Sequence, residues 1–506
     1  MSTDSVPNSM QLNAAASAGA TAVTLRAAAH SLAQRATFIA IDPFTTECEV
    51  RRVSSHVSST VNFTSDALDY THAEYDNVLY LRSPDFTVEL FGAKGDGSTD
   101  DTTAIQRAVD QAAINGGRVL FGANTYKITD TIDIDTKRGL HLQGEVMSYA
   151  SPGNYRGTTL KWAGTTNLPM LKIWNSQDCA VTWLGFDGAD TTGVVGILVD
   201  SDNTQVSKRH HLEHLFIRRV NLGLQLASVV GGGTQYQVDS NYIGNVAFYE
   251  GYGTSTAIYI SSQNVDLTRI TDCEISGFTY GVRLVRAGII QLENVSGGTL
   301  TDFIRIEGPY ASLQATNCQA ESLTYWLDVT TGASDSTAPI TLINCTVDAV
   351  CNIDKRVRIT SVGTTYNADV DLDGNDVEFI GIGDYFNSTA INQNGTNDRA
   401  YLWDGNKGFN LDGGTAAYWK QMLTGTATWD PGSIADGATA NTTITVTGCA
   451  EGDLVLTSHD KLNSAGVLLF GTVASANTVA VTLVNHSGGN YDLATGTLRA
   501  TVIKHG

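Results

Sequence analysis

Strand-like segments recur through the middle of this chain at a loose interval of 20 to 30 residues. Reference positions in the last four segments are separated by 22, 23 and 27 residues, and they are Cys273, Val295, Cys318 and Cys345. A repeat of this length indicates a solenoid, and the β-forming residues with Asn, Asp or Gly at the bends indicate that each coil is made of strands. Because one coil cannot bury its inner face alone, the coils must stack, which predicts a parallel β-helix.

One amphipathic helix precedes the repeats. The segment 100–103 offers side-chain oxygens that can cap a helix, and Asn115–Gly117 is a stop signal. Between them the apolar residues fall at helical spacing, namely Ile105, Ala108, Val109, Ala112 and Ala113. A stack of coils leaves unpaired strand edges at its ends. We therefore expect this helix to cap the N-terminal end of the β-helix.

With 506 residues the chain is too long for one compact core, and its composition changes along its length. Short alternating segments predict an antiparallel β-domain over residues 1–86, whose first 20 or so residues form a flexible or docking arm. The β-helix is expected over 87–363. Residues 364–423 are interpreted as a connecting region with a hairpin turning at Gly374–Asn375, and 424–506 as a β-sandwich for trimerisation or binding.

Charge and cysteine content exclude several functions. The net charge of -21 disfavours nucleic acid and anionic membrane surfaces as partners, and no apolar run is long enough for membrane insertion.

The seven cysteines form no CxxC pair and fit no metal site, so we expect buried free thiols and no metal or other cofactor. A calcium loop at 369–380 would need a glutamate where Ile380 stands. Residues 1–13 lack the features of a secretory signal, which predicts synthesis in a bacterial cytoplasm.

The segment 91–108 resembles the opening of the pectate-lyase-like superfamily, especially its phage tailspike members. The residues that carry the resemblance are Phe91–Gly97, Asp100–Thr102, Ala104–Gln106 and Ala108, followed by Gly117–Phe121 and Tyr126–Ile128. Gly122 and Asn124 depart from the usual proline and glycine. Segments ending at Val78 and beginning at Trp429 look like small β-modules of phage fibres and terminal domains of virion proteins.

This resemblance implies a mainly β chain with a right-handed β-helix, assembled as a parallel homotrimer on a virion. It also implies a phage spike or fibre that recognises, and possibly depolymerises, a host surface polysaccharide. The N-terminal domain would then contact other virion proteins. The alternative is a non-catalytic structural fibre or capsid decoration protein in which the β-helix is a rigid spacer.

Candidate catalytic residues follow from the alternation of strand side chains. If Cys318 and Cys345 point inward, Glu321 and Asp348 point outward on successive coils, about 5 Å apart at the backbone. Two carboxylates held this close share protons unequally, as an acid/base pair must, although solvated surface acids would show the same pattern. Asp187 and Asp190 form a second candidate pair that a turn would also explain.

Aromatic residues are the candidates for sugar contact, because a flat ring can cover the apolar face of a pyranose. The most suggestive run is glycine-rich and interpreted as a loop, and its candidate substrate-binding residues are Tyr242, Tyr249, Tyr252 and Tyr259. The densest imidazole group comprises His210, His211, Glu213 and His214. In a strand His210 and His214 would share a face as a general base or metal ligands, or they are simply solvated.

Overall fold

The structure is a computed structural model that divides into two compact units at Cys351 and Asn352. It describes residues 11–25, 38–57, 60–63, 67–73, 78–81, 85–115, 117–145, 148–149, 155–202, 205–228, 237–262, 264–308, 310–330, 338–387, 390–396, 398–403, 410–413, 422–463 and 466–504.

An antiparallel sheet opens the first unit. Its five strands are β1 (Ala22–Thr24), β2 (Phe38–Ile41), β3 (Glu49–Val57), β4 (Thr60–Phe63) and β5 (Val78–Leu81), in the order β1-β4-β3-β2-β5. The alternation of the sequence predicts this sheet. Leu12 and Ala16 are buried in its core and form bridges with Leu25 and His72. The predicted flexible arm is therefore wrong from residue 11 onward, because these apolar side chains complete the core; residues 1–10 lie outside the described residues.

The predicted helix is present as α1 (Thr102–Asn115), preceded by a short 3-10 helix at Val88–Phe91. Its apolar stripe, buried except for the partly exposed Ala113, packs on the first strands of the coils. Asp101 orders the turn before it, because its carboxylate accepts hydrogen bonds from the N–H groups of Lys94 (2.7 Å) and Gly95 (3.0 Å). Gly95 adopts a φ of 63°, which glycine reaches without a Cβ clash.

Short strands then wind through the rest of the first unit. They are β6 (Asp85–Thr87), β7 (Asp96–Asp100), β8 (Arg118–Leu120), β9 (Thr125–Ile128), β10 (Ile132–Asp135), β11 (His141–Gln143), β12 (Ser148–Tyr149), β13 (Tyr155–Arg156), β14 (Thr159–Trp162), β15 (Pro169–Trp174), β16 (Ala180–Thr182), β17 (Gly185–Asp187), β18 (Val195–Asp200), β19 (Ser207–Lys208), β20 (His211–Arg218), β21 (Leu222–Leu226), β22 (Val238–Asp239), β23 (Tyr242–Tyr249), β24 (Thr256–Ser261), β25 (Thr268–Thr271), β26 (Glu274–Ser276), β27 (Tyr280–Glu293), β28 (Ser296–Ile306), β29 (Tyr310–Thr316), β30 (Gln319–Val329), β31 (Pro339–Ile343) and β32 (Thr346–Val347). Apart from the small pairs β12–β13 and β19–β22, these strands belong to one long parallel sheet.

Each strand of the long sheet pairs with its counterpart one coil later, as in β10–β15–β18–β21–β24. This pairing makes the molecule mainly β, with the topology of a parallel β-helix. The register places Cys273, Val295, Cys318 and Cys345 on top of one another, each 1% exposed. The spacing of these residues therefore marks successive coils, as the sequence predicts. All seven cysteines are free and buried, which confirms the prediction for the thiols.

A row of left-handed residues turns the chain at one corner of the coils, and we call it the corner row. Its members, one per coil, are Trp183, His214, Asn245, Asp272, Asn294, Asn317 and Asn344, with φ between 50° and 60°. Asn and Asp tolerate this conformation. Their side chains also bond between coils, since Asn294 Nδ2 donates to Asp272 Oδ1 (3.0 Å) and Asn317 Nδ2 donates to Asn294 Oδ1 (3.3 Å).

The strands from Val350 to Gly413 are β33 (Val350–Ile353), β34 (Arg358–Val362), β35 (Thr365–Tyr366), β36 (Val370–Leu372), β37 (Glu378–Ile382), β38 (Tyr385–Phe386), β39 (Ala390–Gln393), β40 (Arg399–Trp403) and β41 (Asn410–Gly413). Pairing is parallel in β34–β37–β40 and β36–β39–β41.

The hairpin predicted at Gly374–Asn375 is therefore wrong. The acidic side chains of this segment are acceptors for the coil 21 residues later: Asp371 Oδ1 accepts from Asn392 Nδ2 (2.6 Å), and Asp373 Oδ1 accepts from Asn394 Nδ2 (2.7 Å). An alternating segment with a glycine turn is compatible with an antiparallel hairpin and with parallel stacking. The repeat of the same pattern one coil later is what distinguishes the two.

A C-terminal module of antiparallel strands completes the second unit. It contains β42 (Met422–Trp429), β43 (Gly432–Ile434), β44 (Thr439–Thr445), β45 (Leu454–His459), β46 (Val467–Ser475), β47 (Thr478–Asn485), β48 (Tyr491–Leu493) and β49 (Gly496–Ile503). They form the sheets β42-β49-β45, β44-β47-β46 and β43-β48 around one apolar core. Across the described part of the chain, no helix has the length and apolar character that a membrane crossing requires.

Candidate active site

An outward-facing row of side chains crosses six successive coils, and we call it the groove row. Register pairing aligns its members, Asp187, Arg218, Tyr249, Ser276, Gly298 and Glu321. They come from β17, β20, β23, β26, β28 and β30. Three of the predicted site residues, Asp187, Tyr249 and Glu321, therefore lie on one line. Five steps of about 4.8 Å between neighbouring strands separate Asp187 from Glu321, which gives roughly 24 Å.

A groove of about 360 Å³ opens at the C-terminal part of this row. Its described lining residues are Glu274, Ile275, Ser276, Ser296, Gly297, Gly298, Thr299, Gln319, Ala320, Glu321, Ser322 and Asp348. The depression has a simple cause in the sequence. Between the large Tyr249 and Glu321 the groove row carries only Ser276 and Gly298, whose side chains do not fill the surface.

The structure brings Glu321 and Asp348 together in this groove. Ala320 and Val347 pair in register and point into the core, where they are 1% and 0% exposed. The residues that follow them, Glu321 and Asp348, are exposed on adjacent coils. Because paired parallel strands lie about 4.8 Å apart, the two carboxylates rise from backbone positions at about that separation.

Glu274 is a third carboxylate in the groove, and the sequence analysis missed it. Register pairing aligns Glu274 with Ser296 on the next coil and with Gln319 on the coil after that. Glu274 therefore lies on the other side of the glycine and serine floor from Glu321. The signal was present in the sequence, because Glu274 follows Cys273 as Gln319 follows Cys318. The groove thus holds three carboxylates, and Lys, Arg and His are absent from its described lining.

Asp187 lies at the other end of the groove row as the centre of an ion cluster. Its carboxylate accepts hydrogen bonds from Arg218 Nη2 (2.9 Å) and from Arg219 Nε (2.8 Å) and Nη2 (2.6 Å). Burial raises the pKa of Asp187, but the hydrogen bonds from Arg219 and the charge of Arg218 outweigh it and leave the pKa below its ordinary value. Asp190 lies 3.6 Å from Arg219 Nη1. These contacts favour a structural role for both acids, and their catalytic role stays a prediction.

The four predicted tyrosines do not form one platform. Tyr242 and Tyr249 begin and end β23, and Tyr259 is in β24, so the loop interpretation is wrong for these three; Gly244 lies within β23 without breaking it. Tyr249 stacks on Phe216 at 5.7 Å beside the groove floor. Tyr242 lies on another row, and its hydroxyl accepts a hydrogen bond from Thr271 Oγ1 (3.0 Å).

The other two tyrosines lie away from the groove row. Tyr252 is in the segment between β23 and β24, where its carbonyl accepts a hydrogen bond from Asn221 Nδ2 (2.9 Å). Tyr259 faces Arg283, whose guanidinium lies 5.5 Å from its ring centroid. Their assignment as substrate-binding residues stays a prediction, and Tyr249 is the one with a position next to the groove.

The histidines predicted to share a face are separated. His210 is fully buried; its Nε2 lies 3.0 Å from Ser207 Oγ, and its Nδ1 accepts from the N–H of Cys179. Burial lowers the pKa of His210 to about 4, which keeps the ring neutral. His214 instead belongs to the corner row, where its left-handed backbone breaks the strand alternation. Within the described ranges, no cluster of three or more His, Cys, Asp or Glu residues could bind a metal ion.

A second charged cluster, also missed in the sequence, occupies the later halves of β28 and β30, the strands that begin at the groove. Arg305 Nη1 donates to Asp302 Oδ2 (2.6 Å) and to Asp328 Oδ2 (2.8 Å), and its Nε donates to Glu307 (2.6 Å). Burial raises the pKa of Asp302, which is 0% exposed. The acids come from β28 and β30 and from the residue after β28, so only the stacking of coils assembles them. Their shared arginine makes this cluster a brace between coils.

Comparison with known proteins agrees with the N-terminal part of the fold. Residues 86–159, which hold α1 and the first coils, match the family described as rhamnogalacturonase A/epimerase, pectate lyase-like. This match confirms the pectate-lyase-like resemblance seen in the sequence.

Individual relatives share short segments with this chain. A capsule KN3-specific depolymerase of Klebsiella phage KN3-1 is 54% identical over 90 residues, which is 18% of this chain and 11% of that protein. A glucan 1,3-beta-glucosidase of Cochliobolus carbonum is 46% identical over 57 residues, 11% of this chain and 7% of the relative. The chain thus spans about a tenth of the length of the curated relatives it matches.

Among solved structures, ORF18 of Geobacillus virus E2 has a TM-score of 0.39 at 17% identity, covering 82% of this chain and 75% of that one. Residues 86–159 thus match the pectate-lyase-like family and, by their strand pairing, hold the first coils of the long parallel sheet.

Proposed function

We propose that this chain is a subunit of a phage virion spike that binds a bacterial surface polysaccharide and cleaves it by hydrolysis. The observation that carries the proposal is the groove, in which Glu274, Glu321 and Asp348 surround a floor of small residues. Grooves on a rigid scaffold are the usual place for an oligosaccharide, and carboxylates are the groups that glycosidic hydrolysis requires. The phage depolymerase among the relatives supports the same function.

Glu321 and Asp348 offer the two carboxylates that glycosidic hydrolysis requires. Glu321 and Asp348 rise from adjacent coils about 4.8 Å apart at the backbone, so their carboxyl groups can reach the roughly 5 Å separation that retaining enzymes use. We assign them as the nucleophile and the acid/base, with either order. Glu274 lies on the far side of the floor, where it can hydrogen-bond the sugar hydroxyls that enter the groove.

The lining also favours a hydrolase over a lyase. A lyase abstracts a proton next to a uronate carboxylate, using a basic residue and often a cation to stabilise the developing charge. The described lining supplies three acids and neither a basic side chain nor a cationic partner for a uronate. Together with the net charge of -21, this favours a neutral or amino-sugar polysaccharide as the substrate.

The rest of the chain fits a spike. We propose that residues 1–86 attach it to other virion proteins, that α1 caps a right-handed β-helix, and that the chain assembles as a parallel homotrimer. The C-terminal module supports assembly, because apolar side chains are exposed on β45 and β46: Leu454, Leu456, Leu468 and Phe470. In the sheet β42-β49-β45, Met422 and Leu454 both pair with Ile503. Such a patch is costly to leave in water, and two further copies of the chain would cover it.

The test is to incubate purified protein with a panel of bacterial capsular and O-chain polysaccharides and to follow reducing ends and the absorbance of unsaturated uronate. We expect reducing ends without unsaturated product. Glu321→Gln and Asp348→Asn should each lower the rate by about 10²- to 10⁴-fold while binding persists. Glu293→Gln is the matched control, because Glu293 is exposed on a nearby coil outside the groove.

The outcomes separate the alternatives. Unsaturated product would replace the hydrolase with a lyase. Binding without any product would make the chain a non-catalytic fibre, and cleavage that survives both substitutions would overturn the assignment of Glu321 and Asp348.

A further inference from the structure

The first two members of the corner row differ in kind from the other five. The later coils use Asn or Asp at this left-handed position, which is the choice that the backbone favours. The coils of its first two members carry Trp183 (φ 60°) and His214 (φ 54°) instead. A bulky residue such as tryptophan is rarely found in this conformation. Strained backbone positions of this kind concentrate at functional sites, so the exception calls for a functional reason.

The two rings stack face to face, so each covers one face of the other and the partly exposed indole keeps its outer face for contact. The indole of Trp183 and the imidazole of His214 stack with centroids 4.1 Å apart and an interplanar angle of 11°. Trp183 remains 36% exposed, although it is among the largest apolar side chains of the chain. An indole that only stabilised the fold would be placed in the core, where its burial contributes most.

The coil before Trp183 leaves the indole uncovered at this position. Gln143 pairs with Thr182, so Gly144 holds the equivalent position one coil before Trp183. A Cβ on Gly144 would lie 2.1 Å from the carbonyl oxygen of Trp183, so close packing of the two backbones demands glycine here. The same requirement removes any side chain that could lie over the ring from that position.

Polar groups lie on the same strand as His214. His211 Nδ1 lies 3.1 Å from Glu213 Oε1, and the rings of His211 and Tyr242 lie 5.8 Å apart. Glu213 directly precedes His214, and its carbonyl oxygen accepts a hydrogen bond from the N–H of Trp183. A pyranose ring presents both an apolar C–H face and hydroxyl groups. A flat aromatic surface with hydrogen-bonding groups nearby matches both features.

We propose that the Trp183–His214 pair is a second polysaccharide-binding site that holds a pyranose of the same chain that is cleaved in the groove. The proposal rests on the proposed function. Trp183 lies four residues before Asp187, and Asp187 lies roughly 24 Å along the groove row from Glu321. This separation exceeds a single sugar unit, so the site holds a neighbouring stretch of polymer while the groove acts on another.

The variant that tests this is Trp183→Asn. Asparagine occupies the equivalent position in later coils and tolerates the left-handed conformation, which offsets the loss of the stack with His214, so the protein should stay folded with little change in its midpoint of thermal unfolding. Affinity should fall by about three- to tenfold, the effect of losing one aromatic contact. Binding is measured by biolayer interferometry against an array of purified bacterial capsular and O-chain polysaccharides.

Leu267→Asn is the matched control. Leu267 is also a left-handed apolar residue (φ 52°) and is 60% exposed, but it lies outside the corner row. It should remain folded and bind with unchanged affinity.

Three results are informative. Weaker binding by Trp183→Asn alone supports the site. Equal binding by wild type and Trp183→Asn overturns the site and leaves the proposed function intact. If wild type binds no polysaccharide on the array, the proposed function fails and the inference fails with it. As a further readout, Trp183→Asn should keep its rate on short oligosaccharides that occupy only the groove.

Discussion

Glu321 pairs in register with Gly298 on the preceding coil, so the carboxylate borders a position that has no side chain. A Cβ on Gly298 would meet one atom within contact distance, the carbonyl oxygen of Glu321 at 4.0 Å. The glycine is therefore dispensable for packing. Because Gly298 has no side chain, the groove has room for a substrate at this position.

Gly298→Val should separate folding from function. Valine suits a strand and reduces the freedom of the unfolded chain, so we expect a gain of about 0.5 kcal/mol in the free energy of unfolding. The same side chain enters the groove and should abolish polysaccharide cleavage. Urea denaturation and a reducing-end assay measure the two effects. Full activity in this variant would contradict the position of the groove.

Gly297→Val is the contrasting variant. A Cβ at Gly297 would lie 2.7 Å from the ring of Phe303, inside the core. Overpacking of this kind costs about 1–3 kcal/mol. We therefore expect this neighbouring substitution to lower stability, in contrast to Gly298→Val.

Asp187→Asn should lower stability and leave the chemistry intact. The substitution removes the charge that compensates Arg218 and Arg219, and breaking a largely buried ion pair costs about 3 kcal/mol. Asp190→Asn, which loses a longer contact at a half-exposed site, should cost less than about 1 kcal/mol. Thermal unfolding and activity per folded molecule decide the matter. A stable but inactive Asp187→Asn variant would restore its catalytic assignment.

Asp384 should make the second unit less stable as pH rises. Its side chain is buried and accepts a hydrogen bond from the N–H of Thr364 (2.8 Å). Burial raises its pKa from 3.8 to about 6, which the hydrogen bond only partly offsets. Since the folded pKa exceeds the unfolded value, the stabilisation is fully present below pH 3.8 and is lost as pH rises through about 6.

Asp384→Asn removes this dependence. A shift of about two units corresponds to about 3 kcal/mol, so the variant should exceed wild type by about that amount at pH 8 and match it near pH 3.5. Urea unfolding of the full chain across this range is the measurement. A constant difference between the two proteins at every pH would rule out the carboxyl group as its origin.

Exposed apolar residues of the C-terminal module should determine the oligomeric state. Replacing Leu456 and Phe470 by serine removes two side chains that are 56% and 51% exposed. If they lie between copies of the chain, sedimentation equilibrium should show a shift from trimer to monomer. Ile114→Ser, at a 56% exposed position of α1, is the control and should leave the mass unchanged. A trimer that persists in the double variant would place the interface elsewhere.

Much of the coil architecture is predictable from the sequence. Cys273, Cys318 and Cys345 mark inward positions because a free thiol behaves as a small apolar residue, and all three are buried. Once those positions are known, alternation places Glu321 and Asp348 outward, and the structure puts both in one groove. The stripe of α1 is equally local, since helical spacing alone defines it.

The alignment between distant coils is not predictable from the sequence. Asp187, Arg218, Tyr249, Ser276, Gly298 and Glu321 form one row although they are 31, 31, 27, 22 and 23 residues apart. The corners absorb different numbers of residues in each coil, so sequence spacing does not reveal the row. His214 shows the same limit, because its left-handed backbone breaks the alternation that predicted it beside His210.

The strand repeat, the helix before it and the outward direction of two acids are predictable from the sequence, since each depends on interactions within one coil or between near neighbours. The register of the coils, the place of Glu274 in the groove and the contact of Trp183 with His214 emerge from the folded molecule alone. The physical reason is that hydrogen bonding between coils fixes the register. Corner segments of variable length conceal that register in the linear order of residues.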